Sequence, residues 1–305
     1  MRLCTFFHHS TRSFGLLTDS DRVVDLREAA RELRGSGRLG GMPEELLQAA
    51  DLKTWLAQGP PALEFANAIA EAVEAGLEAG TCPRQETRIV APIPNPGKIV
   101  AVGLNYRQHA EEQGANLPER PMLFAKFPSA VIGPDEPIKL PAGSRQVDVE
   151  AELCAVVLDR CRRVDRRQAE SLLAFTIGND VSARDFQYSD RQWVRGKSCD
   201  TFAPHGPTLV TVDELGDPHD LEISLRLNDS VQQHSNTGDM IFDSYALLEF
   251  ISATITLEAG DLIYTGTPSG VGVYRDPQVF LKAGDMVEVT IEKLGTLRNP
   301  VVADE

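Results

Sequence analysis

Short apolar runs separated by polar turns occupy most of the chain, and their spacing predicts a protein built mainly from β-strands. In the first third, alternating apolar positions favour short strands at residues 2–7, 14–18 and 22–26. Two longer stretches, at residues 43–58 and 62–79, have the apolar spacing of helices. This part of the chain is therefore predicted to be a small α+β unit.

A proline-rich segment separates this unit from the rest of the chain. Pro92, Pro94 and Pro96 fall within five residues, and each removes a backbone donor and favours an extended path. We therefore predict a small N-terminal α+β domain at residues 1–92 and a larger domain at residues 93–305.

Beyond the boundary, strand signals follow one another with few helical signals between them. Strands are predicted at residues 99–103, 122–126, 148–158, 175–181, 207–211, 221–227, 261–265 and 286–291, and helices at 166–173 and 244–252. Such a density of strands is typical of antiparallel or mixed sheets rather than of a doubly wound parallel sheet. The predicted fold class is α+β, mainly β.

Composition and charge exclude several classes of function. The 305 residues include 45 acidic and 30 basic side chains, a formal net charge of -15, and this field repels the phosphates of nucleic acids. No run of 18 apolar residues predicts a membrane span, and the first residues lack the apolar core of a signal peptide. Five cysteines without CxxC spacing indicate a reducing compartment, so we expect a cytoplasmic protein.

Three acids alternate along the strand predicted at residues 148–158. Because side chains alternate across a strand, Asp148, Glu150 and Glu152 are predicted to share one face. A divalent cation such as Mg²⁺ or Mn²⁺ would relieve their mutual repulsion. An exposed edge strand that uses acids against aggregation fits the same spacing, and the pattern alone leaves both readings open.

Two other groups of polar residues follow predicted strands. His109 and Glu112 are three positions apart on a predicted short helix, where the carboxylate could orient the imidazole as a general base, although such pairs are more often surface contacts. Asp180, Arg184 and Gln187 follow an apolar strand, which fits either a site at the strand end or the start of a helix.

Taken in chain order, five motifs resemble those of the fumarylacetoacetate hydrolase family. They are GLNYRQH at 103–109, DVEAEL at 148–153, NDVSARDFQ at 179–187, GKS at 196–198 and TGTPSGVG at 265–272. The resemblance extends over about residues 95 to 302. Any one motif is modest support, whereas five in the right order make coincidence improbable.

The resemblance implies a mixed β-sandwich roll that binds Mg²⁺ or Mn²⁺ and usually forms a homodimer. By position, Glu150, Glu152 and Asp180 match the family's metal carboxylates, while Asp148 matches none of them. The positions that contact substrate in the family correspond to Arg184, Gln187, Lys197 and Thr267, and the dyad on a mobile lid in the acylpyruvate-cleaving branch corresponds to His109 and Glu112.

The implied activity is metal-dependent hydrolysis of a carbon–carbon bond in a small 1,3-dicarbonyl 2-oxo acid, an acylpyruvate or a fumarylacetoacetate-like compound. His109, aligned by Glu112, is expected to activate the water, and Lys197 to stabilise the oxyanion. The products would be pyruvate or a related 2-oxo acid and a carboxylic acid. Decarboxylation of oxaloacetate and keto–enol isomerisation or hydration stay open as alternatives, and a non-catalytic metal-binding protein is a third.

Overall fold

The computed structural model describes residues 1–38 and 40–304, in which there are 19 β-strands and ten α-helices. The elements of the N-terminal part are β1 (Arg2–His8), β2 (Thr11–Leu17), β3 (Arg22–Asp25), α1 (Leu26–Gly35), α2 (Glu44–Leu47), α3 (Leu52–Leu56), α4 (Pro60–Glu74), β4 (Thr81–Pro83) and β5 (Thr87–Val90). No helix among these residues, or in the rest of the described chain, has the length and apolarity needed to cross a membrane.

Strands dominate the remainder of the chain. Its elements are β6 (Ile99–Gly103), α5 (Arg107–Glu112), β7 (Met122–Lys126), β8 (Val131–Ile132), β9 (Ile138–Leu140), β10 (Val147–Asp148), β11 (Ala151–Val157), α6 (Arg166–Glu170), β12 (Leu173–Asn179), β13 (Ser182–Ala183), α7 (Arg184–Asp190), α8 (Val194–Lys197), β14 (Ala203–Thr211), α9 (Val212–Leu215), β15 (Glu222–Leu227), β16 (Ser230–Asn236), α10 (Ser244–Ser252), β17 (Leu262–Tyr264), β18 (Met286–Ile291) and β19 (Gly295–Ala303). β6, β7, β18 and α10 have the predicted bounds.

The strands form one large mixed sheet and two smaller ones. The large sheet has the order β4-β3-β2-β1-β14-β12-β11-β17-β6-β7, with β5 paired to β1 and β8 to β14. A second sheet has the order β16-β15-β18-β19-β9, and β10 pairs with β13. Most pairs are antiparallel, but β17 runs parallel to β6, β14 parallel to β8 and β19 parallel to β9. These sheets and their few helices confirm the predicted α+β, mainly β, class.

The N-terminal strands continue into the large sheet. β1 pairs with β14, where Arg2 lies opposite Val210 and Leu3 opposite Leu209. The predicted division at residues 92 and 93 falls between β5 and β6. The division into two domains itself stays a prediction.

One long predicted helix is two short ones. The stretch at residues 43–58 divides into α2 and α3, because Asp51 starts a new helix. The Asp51 side chain accepts a hydrogen bond from the backbone N–H of Thr54, and the Thr54 side chain accepts one from the N–H of Asp51. This reciprocal capping box satisfies the first donors of α3 and fixes its start.

The predicted carboxylate residues lie on or next to β11 and β12, which are central strands of the large sheet. β11 and β12 are buried along their whole length, and the five-stranded sheet packs against them through β15 and β18. Their antiparallel register pairs Ala151 with Asn179 and Glu152 with Gly178. A one-residue shift of register would move every side chain to the opposite face, so the packing on both buried faces specifies the pairing.

Candidate active site

Three carboxyl groups meet at the end of the β11–β12 pair. Glu150, Glu152 and Asp180 are buried, and one oxygen from each lies within 4.8 Å of the others. The backbone N–H of Asp180 donates to the carbonyl of Glu150 at 2.9 Å, and the N–H of Glu150 donates to the Asn179 side chain at 3.0 Å. These bonds hold the two chain segments together where the ladder ends.

The structure places Asp148 beside Arg184 and outside the three-carboxyl cluster. The predicted strand at 148–158 is interrupted between β10 and β11, so the alternation does not run through Asp148. Its carboxylate accepts from the backbone N–H groups of Val149, Gly272 and Val273 and pairs with Arg184 at 2.9 Å. Asp148 therefore supports Arg184 and is not part of the three-carboxyl cluster.

Two buried lysines contact the cluster. The Nζ atom of Lys197 lies 2.8 Å from Glu150 Oε2 and 2.7 Å from Asp180 Oδ2. Lys126, at the end of β7, places its Nζ 2.5 Å from Asp180 Oδ1 and is also buried. Lys126 was not predicted, because a single lysine ending an apolar strand looks in sequence like an ordinary surface lysine.

The carboxyl groups of the cluster differ in electrostatic environment. Burial raises the pKa of Glu152 well above its usual range, and the charges of Asp180 and Glu150 raise it further. Burial also opposes ionisation of Glu150, but the charges of Lys197 and Arg184 outweigh it and lower the pKa of that carboxyl. Glu152 is thus the acid whose charge is least compensated by the protein.

This donor set fits a hard divalent cation. Three carboxyl groups with oxygens this close repel one another when ionised, and a cation that contacts all three offsets that cost. Mg²⁺ and Mn²⁺ prefer oxygen ligands of this kind, usually a few carboxylates completed by water or substrate. The residues present are therefore able to hold such an ion.

Arg184 is the first residue of α7 and contacts the cluster. Its Nη2 atom is 2.6 Å from Glu150 Oε1, and its Nη1 donates to the side-chain oxygen of Gln187 at 3.1 Å. Burial opposes its charge, but the attraction of Asp148 and Glu150 outweighs it and raises the pKa of Arg184. Arg184 thus stays charged although it is buried.

The predicted dyad is formed on α5. His109 Nδ1 lies 2.9 Å from Glu112 Oε2, and His109 is buried. The second oxygen of Glu112 accepts from the backbone N–H of Gly270 at 2.9 Å. Because a carboxylate only accepts hydrogen bonds, the contact places a proton on Nδ1, and in the neutral imidazole the lone pair is then on Nε2.

A glycine-rich loop at residues 265–272, the glycine loop, joins these groups. It donates backbone N–H bonds to Glu152 from Gly266 at 2.7 Å, to Glu112 from Gly270, and to Asp148 from Gly272 at 2.8 Å. From the sequence, this segment was identified as one of the five family motifs, and these contacts with carboxyl groups were missed. Three separate parts of the site are therefore aligned by one segment of backbone.

A cavity of about 200 Å³ lies between α5 and the cluster. Six of the predicted residues line it: His109, Glu150, Arg184, Gln187, Lys197 and Thr267. Much of its apolar wall comes from Val102, Leu104, Met122, Phe124 and Trp193. Glu112 lies behind His109, and Glu152 and Asp180 lie beside Glu150 beyond the lining residues. The structure thus brings all nine predicted site residues together.

Comparison with known proteins agrees with this geometry. The profile described as the C-terminal part of fumarylacetoacetate (FAA) hydrolase matches residues 98–302. The chain belongs to the fumarylacetoacetate hydrolase family. Members of this family are enzymes, and the predicted family membership is confirmed.

Relatives within the family differ in their reactions. The mitochondrial oxaloacetate tautomerase fahd2 of Xenopus laevis is 42% identical over 254 residues, which is 82% of this chain and 78% of the relative. A fumarylacetoacetate hydrolase from Exiguobacterium antarcticum is 30% identical, with a TM-score of 0.81 and complete coverage of both chains. A maleylpyruvate hydrolase from Sphingobium, solved with manganese(II) and pyruvate, is 27% identical, with a TM-score of 0.76 and complete coverage of both chains.

Proposed function

We propose that this protein is a divalent-metal-dependent enzyme that interconverts the keto and enol forms of oxaloacetate. The observation that carries the proposal is an oriented base, His109, in a small cavity that Glu150 and Lys197 also line. At about 200 Å³ the cavity is smaller than the roughly 300–1,000 Å³ of sites for drug-sized ligands, and it suits a four-carbon acid. The similarity to an oxaloacetate tautomerase supports the same reaction.

Glu150, Glu152 and Asp180 are the proposed ligands of Mg²⁺ or Mn²⁺. When bound, the ion would supply positive charge that polarises the 2-keto group of the substrate. Lys197 would add its own charge beside Glu150 and Asp180, since burial lowers its pKa less than these two acids raise it. The protein therefore presents a fixed positive centre next to the oxygen on which negative charge develops.

The proposed proton transfer uses the free nitrogen of His109. Nε2 takes a proton from C3 of oxaloacetate, the electrons of that C–H bond form the C2–C3 double bond, and the C2 oxygen gains the charge and then takes the proton that Nε2 holds. No atom is lost, so the reaction runs in both directions. Arg184, Gln187 and Thr267 are proposed to hold the substrate carboxylates, because each lines the cavity.

Hydrolysis of an acylpyruvate is the second candidate. The dyad of His109 and Glu112 that serves proton transfer could equally take a proton from water. The similarity to a maleylpyruvate hydrolase solved with manganese(II) and pyruvate favours this reaction as the alternative. Here one water and one acylpyruvate would give one carboxylic acid and pyruvate.

A direct test compares two substrates with chelator-stripped protein, with and without Mn²⁺. Oxaloacetate is added in its enol form and its ultraviolet absorbance followed, and acetylpyruvate is followed by proton NMR. Mn²⁺ without protein and the His109→Ala variant serve as controls. Faster loss of the enol that needs protein, metal and His109 is the expected result.

Other outcomes would reassign the reaction. Release of pyruvate from oxaloacetate at the rate of enol loss would indicate a decarboxylase. Acetate and pyruvate from acetylpyruvate, with no effect on the enol, would indicate a hydrolase. Silence toward both substrates would overturn the proposal.

We further propose a homodimer in the cytoplasm. The family resemblance supports the dimer, and the five cysteines, all free thiols, suit a reducing compartment. Sedimentation of the purified protein tests the first point, and fractionation of the source cells tests the second.

A further inference from the structure

The lone pair of the dyad imidazole already has a partner. The side-chain Nε2 of Gln113 lies 2.7 Å from His109 Nε2, on the face that looks into the cavity. Gln113 follows α5 directly and is four residues from His109, so one helical turn brings the two side chains together. Its side chain is half-buried and lines the same cavity.

The imidazole has little freedom to avoid this contact. Glu112 holds Nδ1, and the ring of Tyr274 lies edge-on to the imidazole with 6.0 Å between the centroids. With the proton on Nδ1, the Gln113 amide N–H donates to the Nε2 lone pair. The amide thus occupies the position from which a base would hold a water molecule.

We propose that Gln113 is a specificity-determining residue that keeps water off His109 Nε2 and so favours proton transfer on the substrate over hydrolysis. The inference rests on the proposed function and deepens it. On this proposal, the Gln113 side chain determines whether the dyad transfers a proton on the substrate or activates water for hydrolysis.

Competition for the lone pair explains the preference. Gln113 is tethered to the same helix, whereas a water molecule must be immobilised each time it binds. A 2-oxo acid is anchored by its own carboxylates and keto oxygen, and this binding energy is available to displace the amide as C3 approaches. A free water has no second anchor and is excluded.

Hydrolysis would need the excluded water. Nε2 would take one proton from it while its oxygen bonds to the distal carbonyl carbon of an acylpyruvate. The bond from that carbon to C3 would then break, its electrons would remain with the pyruvate fragment, and the proton would return to C3. Removing the amide opens the position where this sequence starts.

The test replaces the carboxamide with an apolar chain of similar length. Gln113→Met removes the donor, and Gln108→Met is the matched control because Gln108 is on the same helix and exposed. Each Mn²⁺-loaded protein is given acetylpyruvate and enol oxaloacetate. We expect Gln113→Met to hydrolyse acetylpyruvate about tenfold faster than wild type, the factor of one displaced hydrogen bond, and Gln108→Met to match wild type.

A second readout does not depend on activity. In metal-free protein labelled with ¹⁵N-histidine, the Nε2 resonance of His109, assigned with His109→Ala, should move in Gln113→Met and stay in Gln108→Met. An unmoved resonance would overturn the inference. So would a moved resonance with unchanged hydrolysis, or a wild type that hydrolyses acetylpyruvate as fast as it converts the enol. Silence of every variant toward both substrates would instead overturn the proposed function.

Discussion

The Nδ1 atom of His109 lies 2.9 Å from Oε2 of Glu112, and this contact decides which ring nitrogen faces the cavity. Because the carboxylate accepts the Nδ1 proton, Nε2 is left as the base. Glu112 is itself fixed by the backbone N–H of Gly270. The base is therefore oriented by an element far from it in sequence.

Replacing His109 with alanine should separate chemistry from metal binding. The rate of enol conversion is expected to fall about 10²- to 10⁴-fold, the usual contribution of a general base. The affinity for Mn²⁺, measured by calorimetry, should stay unchanged because His109 is not among the three clustered oxygen donors. His234→Ala is the control, since His234 is exposed. Full activity in His109→Ala would remove the dyad from the mechanism.

Glu152 should make the metal-free protein less stable as the pH rises. Its pKa is raised by burial and by Asp180 and Glu150, so the folded state binds this proton more tightly than the unfolded state. Its stabilising effect is complete below the ordinary carboxyl pKa of about 4.3 and is lost as the pH rises toward the raised value. Glu152→Gln should therefore gain stability over wild type as the pH increases, measured by thermal melts in chelator.

Adding Mn²⁺ should make wild type more stable than Glu152→Gln. At about 100 times its dissociation constant the ion should stabilise wild type by about 2.7 kcal/mol, and Glu152→Gln by much less because one ligand is weakened. Glu222→Gln, an exposed replacement, should follow wild type in both experiments. Parallel pH curves for wild type and Glu152→Gln would contradict the electrostatic account.

Lys126 should contribute more to the stability of the metal-free protein than to that of the Mn²⁺-bound protein. Its Nζ contacts Asp180, and burial, with the nearby charge of Lys197, lowers the pKa of Lys126 despite that contact. Lys126→Met removes one partner of a buried pair and should cost about 3 kcal/mol in urea unfolding. Mn²⁺ should stabilise this variant more than wild type, since Asp180 then keeps only Lys197 as a charge partner and the ion supplies the positive charge that Lys126 no longer provides.

The matched control for Lys126 is Lys139→Met. Lys139 is about half exposed and forms a surface pair with Asp304, so its loss should change stability by less than about 1 kcal/mol. An equal gain from Mn²⁺ in wild type and Lys126→Met would show that the lysine does not compete with the ion for Asp180.

Sequence reasoning located the parts of the site that depend on local spacing. His109 and Glu112 are three residues apart on one helix, and Glu150 and Glu152 are two apart, so elementary geometry places each pair together. Asp180 joins them only through the pairing of β11 with β12. Its role was therefore available from the family resemblance and not from spacing.

The rest of the site depends on contacts between segments that are distant in sequence. Lys126 reaches Asp180 from β7, and the glycine loop reaches Glu112 from beyond β17, and neither contact has a sequence signal. Asp148 is outside the cluster, and its carboxylate accepts from the backbone N–H groups of Val149 and Gly272, contacts that simple alternation does not foresee. Tertiary pairing thus decides what local periodicity leaves open.

Gly270 should be required for activity beyond its contribution to stability. It has a φ of +102°, and a Cβ at this position would lie 2.2 Å from the carbonyl oxygen of Gln232. Gly270→Ala must therefore shift the glycine loop, and the N–H bond to Glu112 is lost with it. We expect enol conversion to fall at least about tenfold, the factor of one lost hydrogen bond, with a stability loss of about 1–3 kcal/mol from the strained backbone.

Gly284 provides a control, because it also has a positive φ but has room for a Cβ. Its φ is +96°, yet a Cβ there would meet nothing within 4 Å. Gly284→Ala should lose stability from the positive φ alone and keep full activity. Comparing the two variants at a temperature where both are folded isolates the effect on Glu112. Equal activity in both would mean that the Gly270 N–H does not position the dyad, and that His109 is oriented by Glu112 without help from the loop.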